Sequence, residues 1–256
     1  MVLSAPVQTS TFGFLSMLDE RLPGRLTGLY VVGSAALGDY SERVSNLDLV
    51  AVSDDGWDEA DLAVAATSHG LLKAPRPPVV AYLSAGDLAG DPRSLDRPCY
   101  RGATRVPSDE LVNPFTWQIL SVGAIDLRGP DRPKLWEDPT ALSPWAAARL
   151  ASLWAPEVPH LGRVGAMWLR RRVSSVVLEV SRLAVAARSG RALSKTEATR
   201  VLEPQVPGRF RRILADAVGY RSGGRTSMYW GPLERKQNAV ELLRELVGGS
   251  GAPPPL

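Results

Sequence analysis

Hydrophobic positions in the first half of the chain fall into short runs broken by small and turn-forming residues. Leu29-Tyr30-Val31-Val32 stops at Gly33-Ser34, and Leu47-Asp48-Leu49-Val50-Ala51-Val52 follows after a loop. Both read as strands, because β-branched and aromatic residues suit a half-buried pleat and glycine interrupts it. Residues 78–83 predict a third strand, and apolar spacing over 8–24 and 58–72 predicts helices, the first ending at Pro23-Gly24. Strand, turn, strand, helix, strand makes a small α/β sheet. Residues 113–125, followed by 126–130, read as a helix or a strand pair closed by Gly129-Pro130.

From Pro144 the pattern changes. Residues 146–153, 163–188, 195–202, 209–220 and 233–247 all carry helical spacing, and β-branched runs become rare. The fold class expected is therefore α+β: a sheet domain over residues 1–138, a helical bundle over 139–247, and a disordered tail over 248–256. The Pro-rich stretch 132–144 holds the boundary.

Composition narrows the function classes. A 45% hydrophobic chain of 256 residues can bury an ordinary core. No segment reaches the roughly 18 consecutive apolar residues of a membrane span, so a cytoplasmic protein with no membrane partner is expected. One cysteine, Cys99, cannot form an internal disulfide and reads as a packing residue. With His69 and His160 it is too little for a zinc module.

Charge is divided unevenly along the chain. Residues 1–138 carry 12 Lys and Arg against 19 Asp and Glu, and residues 139–256 carry 18 against 8. An anionic ligand would be drawn to the second half or to a cleft between the two. Nucleic acid is the rival partner, but the basic half lacks an aromatic-interleaved patch or a recognisable binding motif.

Candidate chemistry sits at the first two strands. Alternation turns Leu47, Leu49 and Ala51 one way and Asp48 and Val50 the other, so Asp48 projects beside Gly33-Ser34. The run Gly33-Ser34-Ala35-Ala36-Leu37-Gly38, then Ser45-Asn46-Leu47-Asp48-Leu49-Val50, resembles the nucleotidyltransferase superfamily typified by DNA polymerase β. Over residues 25–225 the chain is similar to the aminoglycoside adenylyltransferases that modify streptomycin and spectinomycin, which join such a domain to a helical one. The late anchors are Ser181-Arg182-Leu183, Leu193-Ser194-Lys195 and Ala217-Val218-Gly219-Tyr220.

The resemblance implies that Gly33, Ser34 and Ser45 lie at a nucleotide's phosphates, with Arg182, Lys195 and Tyr220 contacting ATP or another nucleotide from the helical side. It also implies Mg²⁺ on a pair of strand acids, of which only Asp48 is present. Asn46 stands where the first acid belongs and offers an uncharged oxygen. Two further positions depart. Val79, or Val80, falls where the family carries a glutamate base, and the nearest acid, Asp87, reads as a turn or helix cap. Trp168-Leu169-Arg170-Arg171-Arg172 occupies the place of acids that hold a cationic antibiotic. Trp168, Arg171 and Arg172 then read as contacts to a small anionic acceptor, or the arginines as a solvated helix face with Arg172 paired to Glu179. Like charge argues against aminoglycosides. The expected activity is binding of a nucleotide or phosphorylated ligand between the domains, with transfer of a nucleoside monophosphate to a small non-aminoglycoside acceptor. The alternative is a degenerate or repurposed relative without adenylyl transfer. A monomer is expected.

Overall fold

The computed structural model describes residues 5–69, 76–130, 133–163 and 165–248. It divides into two compact units, the first ending at Asp138 and the second beginning at Pro139.

The first unit is built on a six-stranded mixed sheet of β1 (Gly28–Val32), β2 (Asp48–Ser53), β3 (Val79–Ser84), β4 (Cys99–Arg101), β5 (Thr104–Val106) and β6 (Ile125–Arg128), in the order β5-β4-β3-β2-β1-β6. Only β2 and β3 run parallel. Helices α1 (Ala5–Arg21) and α3 (Glu59–His69) pack on one face, where Phe14, Leu18 and Ala65 bury against Leu29, Val31, Leu49, Ala51, Val80 and Tyr82. Those strand residues are alternate positions, so the opposite face carries Asp48, Val50 and Val79. Helices α2 (Gly33–Ala36) and α5 (Pro114–Val122) contact β1, and α4 (Ala85–Leu88) follows β3 directly.

Several expectations are refined. The first helix begins and ends earlier than 8–24, stopping before Gly24, whose φ is 75°. The helix expected over 58–72 is seen to His69, and residues 70–72 lie outside the described residues. Residues 113–130 give a helix capped by Asn113, whose side chain accepts from Thr116 N, and then a strand. Cys99 is buried, and burial pushes its thiol up to about 12, which removes it as a nucleophile.

The second unit is helical: α6 (Leu142–Arg149), α7 (Ala155–Leu161), α8 (Arg170–Ser189), α9 (Lys195–Leu202), α10 (Arg211–Arg221) and α11 (Pro232–Gly248). Helix α8 touches α6, α9, α10 and α11. Its buried Val173, Val176, Val177, Val180, Leu183 and Ala184 recur at helical spacing, and their burial outweighs valine's modest helix propensity. Gly190 ends it in the left-handed region at φ 63°. The single helix expected over 163–188 is broken. A 3₁₀ turn (Gly165–Trp168) precedes an extended Leu169, and the Trp168 carbonyl accepts from Arg235 Nη2 at 2.7 Å instead of continuing a helix. The tail expected over 248–256 lies, beyond Gly248, outside the described residues. Among the described residues no helix is long and apolar enough to cross a membrane.

Candidate functional site

In the sheet unit the candidate residues gather at the end of β1 and the start of β2. Val32 pairs with Asp48 across the antiparallel ladder, and Gly33 follows with φ 63°. A Cβ built on Gly33 would collide with the Asp48 carboxylate. Glycine is thus required here twice, for the left-handed backbone and for the approach of Asp48 to it. Instead of an open turn, Gly33–Ala36 make the single helical turn α2. Ser34 is half-buried there, and its carbonyl oxygen accepts from Asp39 N at 2.9 Å. Ser45 is buried. Its Oγ accepts from Ser41 N at 3.0 Å and its own N–H bonds to Ser41 O at 2.7 Å, so it closes the loop that delivers β2.

Asn46 is half-buried, and its Oδ1 accepts from Arg76 Nη1 at 3.4 Å. On β3, Val79 is the register partner of Asp48 and therefore shares its face, whereas Val80 pairs with Leu49 and joins the core. Val79 is buried and apolar, so no carboxylate stands beside Asp48 on that strand. Asp87 forms a capping box with Ser84 on α4 and an ion pair with Arg97 at 2.8 Å. Burial alone would raise its pKa, but Arg97 and the Ser84 donors outweigh that and hold it below the usual range. Its oxygens are committed to the fold.

This donor set is a poor match for Mg²⁺, which is usually held by one or two carboxylates together with water and phosphate oxygens, because only one charged oxygen donor stands here. Asp48 supplies one carboxylate, Val79 supplies nothing, and the Asn46 oxygen already faces a guanidinium. Among the described residues no group of three or more His, Cys, Asp or Glu could hold a metal.

In the helical unit, Glu179 on α8 joins two of the candidates. Its carboxylate takes Arg182 Nη2 at 2.8 Å and Lys195 Nζ at 2.9 Å. Lys195 opens α9 immediately after the N-cap Ser194, whose side chain accepts from Glu197 N in a capping box. A cation in the first turn opposes the helix dipole, so the Glu179 partner offsets that cost. Burial raises the Glu179 pKa, yet the two cations overcome it and hold the group well below the usual carboxylate range.

Tyr220, half-buried on α10, lies instead beneath Arg170, whose guanidinium carbon is 5.3 Å from the ring centroid. One of the three consecutive arginines is unlike the other two. Arg171 and Arg172 are exposed, but Arg170 is turned inward onto Asp216, with Nη2 3.0 Å from Oδ1, and its Nη1 donates to Gly224 O at 2.8 Å. The pairing expected between Arg172 and Glu179 is replaced by Arg182 three residues beyond Glu179, on the same helical face. Trp168 is exposed, with Lys236 Nζ 4.7 Å above its ring.

Residues missed by sequence reasoning are Arg76, Glu179 as an acidic hub, and Asp216. Only Glu179 carried a local signal, its spacing of three from Arg182.

No protein-family model matches this chain, and no curated protein does. The fold is nevertheless similar to that of a spectinomycin adenyltransferase from Enterococcus faecialis, solved with ATP and spectinomycin. The TM-score is 0.65, covering 94% of this chain and 99% of that one, at 13% identity. At such low identity the likeness is one of fold: a mixed sheet with helices, followed by a helical region.

Proposed function

We propose that this chain binds a nucleotide or another phosphorylated ligand, and that it does so without the acid-pair adenylyl transfer of the enzymes it resembles. The observation that carries this reading is the Gly33–Asp48 approach with Val79 as Asp48's register partner. It supports a strand end that keeps the backbone geometry for phosphate but lacks the second acid and the base. In the helical unit, the Arg182 and Lys195 cations on Glu179 support a phosphate contact, and Tyr220 a contact to the nucleoside.

A second reading, transfer of a nucleoside monophosphate to a small non-aminoglycoside acceptor, is favoured by the retained Asp48 carboxylate. It would proceed with one strand carboxylate and no base on β3, and loss of a base alone costs typically about 10²- to 10⁴-fold.

Calorimetric titration of the full chain with ATP tests the proposal. Wild type should bind, and the Arg182→Ala, Lys195→Ala double variant should lose about tenfold or more in affinity. No binding at millimolar concentration would sink it. Expression in a sensitive bacterium should give no resistance to streptomycin or spectinomycin; a large rise would restore the aminoglycoside reading.

A further inference from the structure

Arg76 is absent from every motif in the sequence, yet it stands at the strand end. It precedes β3, whose first residue, Val79, pairs with Asp48 and donates its N–H to Leu47 O at 2.8 Å. The parallel ladder therefore runs the lead-in of β3 beside the lead-in of β2. That brings the guanidinium of Arg76 to Asn46 Oδ1. Tyr40 reports the same neighbourhood: burial raises its phenol, Glu42 and Asp48 add to the rise, and Arg76 opposes it. On the strand end itself, one carboxylate (Asp48), one amide (Asn46) and one guanidinium (Arg76) thus share the place where the resembling enzymes carry two acids, with the exposed Glu42 on the loop beside them.

The formal charges agree with an exchange. Two carboxylates with a divalent cation are neutral together, and so is one carboxylate with one guanidinium. With an acid at position 46, Arg76 would compete with a metal for its oxygens. With asparagine there, the amide oxygen orients the guanidinium without neutralising it.

We infer that Arg76 is the resident cation of this site, meeting the phosphoryl oxygens of the ligand with its guanidinium in place of a divalent metal, so that phosphate binding here is metal-independent. This rests on the phosphorylated-ligand reading above. A guanidinium suits the task, since its planar fork pairs with two phosphate oxygens and stays charged at every accessible pH. A dication in the same place would be repelled by it.

The full chain is titrated with ATP in EDTA and again in excess Mg²⁺, as wild type, Arg76→Gln, Arg76→Lys and Asn46→Asp. Wild-type affinity should differ by less than about threefold between the two conditions, and Arg76→Gln should weaken the EDTA affinity by about tenfold, with Arg76→Lys losing less. Asn46→Asp should also weaken binding in EDTA, because the new carboxylate claims the guanidinium and repels phosphate. It carries the test if Arg76→Gln fails to fold. Wild-type binding that needs Mg²⁺, or ATP affinity unchanged in both Arg76→Gln and Asn46→Asp, would overturn the inference while leaving phosphate binding intact. No ATP binding by wild type in either condition overturns the parent reading and this one with it.

Discussion

Asp216 and Glu179 each hold an arginine in the helical unit, but Asp216 has a fully buried side chain and Glu179 keeps 27% of its surface. Around Asp216 the donors come from backbone and side chain alike. Met228 N reaches Oδ1 at 2.8 Å, Ser227 Oγ at 3.1 Å, and Arg170 spends its remaining donors on the carbonyls of Gly224 and Asp216. Around Glu179 the bonds go to two long side chains, each more than a fifth exposed. The first arrangement ties α8 to α10 and to the turn before α11. The second leaves both of its cations partly open to solvent, where a phosphate can approach them. A carboxylate's partners, more than its charge, thus separate a strut from a candidate site.

The widest break in that comparison is at Asp216. Asp216→Asn leaves the buried Arg170 guanidinium without its counter-charge, which should cost about 3–5 kcal/mol in a denaturant melt of the full chain. A loss below about 1 kcal/mol would mean that water reaches the pair and that the strut is not one.

Glu179→Gln should cost less, about 1–3 kcal/mol at neutral pH, because both cations can turn to solvent. This contribution depends on pH in a set direction. The folded carboxyl lies below its ordinary value of 4.5, so the unfolded chain takes up the proton first and the stability is lost as pH falls. The gap between wild type and variant should be full at pH 7 and narrow steadily below about pH 4.5. A constant gap would mean that the ion pairs are not its source.

How much of this was legible in the sequence depends on the range of the interaction. The Gly33–Asp48 approach could be read from alternation and one glycine, because both signals are local to two adjacent strands. The same local logic found α9 to the residue, with Ser194 and Glu197 forming its cap. Strands β4 and β5 were missed since each is three residues long and polar at Arg101, Thr104 and Arg105, so neither period nor apolarity marks them. Helix α7 contains Pro156 and Pro159, which argue against a helix. Pro156 falls in the first turn, where no donor is needed, and the preceding π-helical turn at Leu150–Trp154 carries the chain into it. The break at Leu169 was hidden because it depends on Arg235, 66 positions away. Arg76 was hidden for the same reason: only the β2–β3 register puts it at Asn46. Arg170 and its two neighbours are identical in sequence, and only the packing of α10 sets them apart.

That difference among the three arginines yields the smallest expected effect. Arg171 and Arg172 are exposed at the start of α8, and no ion pair is recorded for either among the described residues. Two cations in the first turn of a helix lie at the unfavourable end of its dipole, so removing them should not destabilise the unit. Arg171→Ser with Arg172→Ser should change stability by no more than about 0.5 kcal/mol, in contrast to any change at their neighbour Arg170. Such silence in the melt would still leave a function open to view. If the pair attracts an anionic ligand, the double variant should bind ATP more weakly at low salt and converge with wild type as salt screens the difference. Identical ATP affinity at every salt concentration would make the two arginines a solvated helix face and nothing more. A melt that falls by several kcal/mol would instead show that the contrast with Arg170 had been drawn in the wrong place.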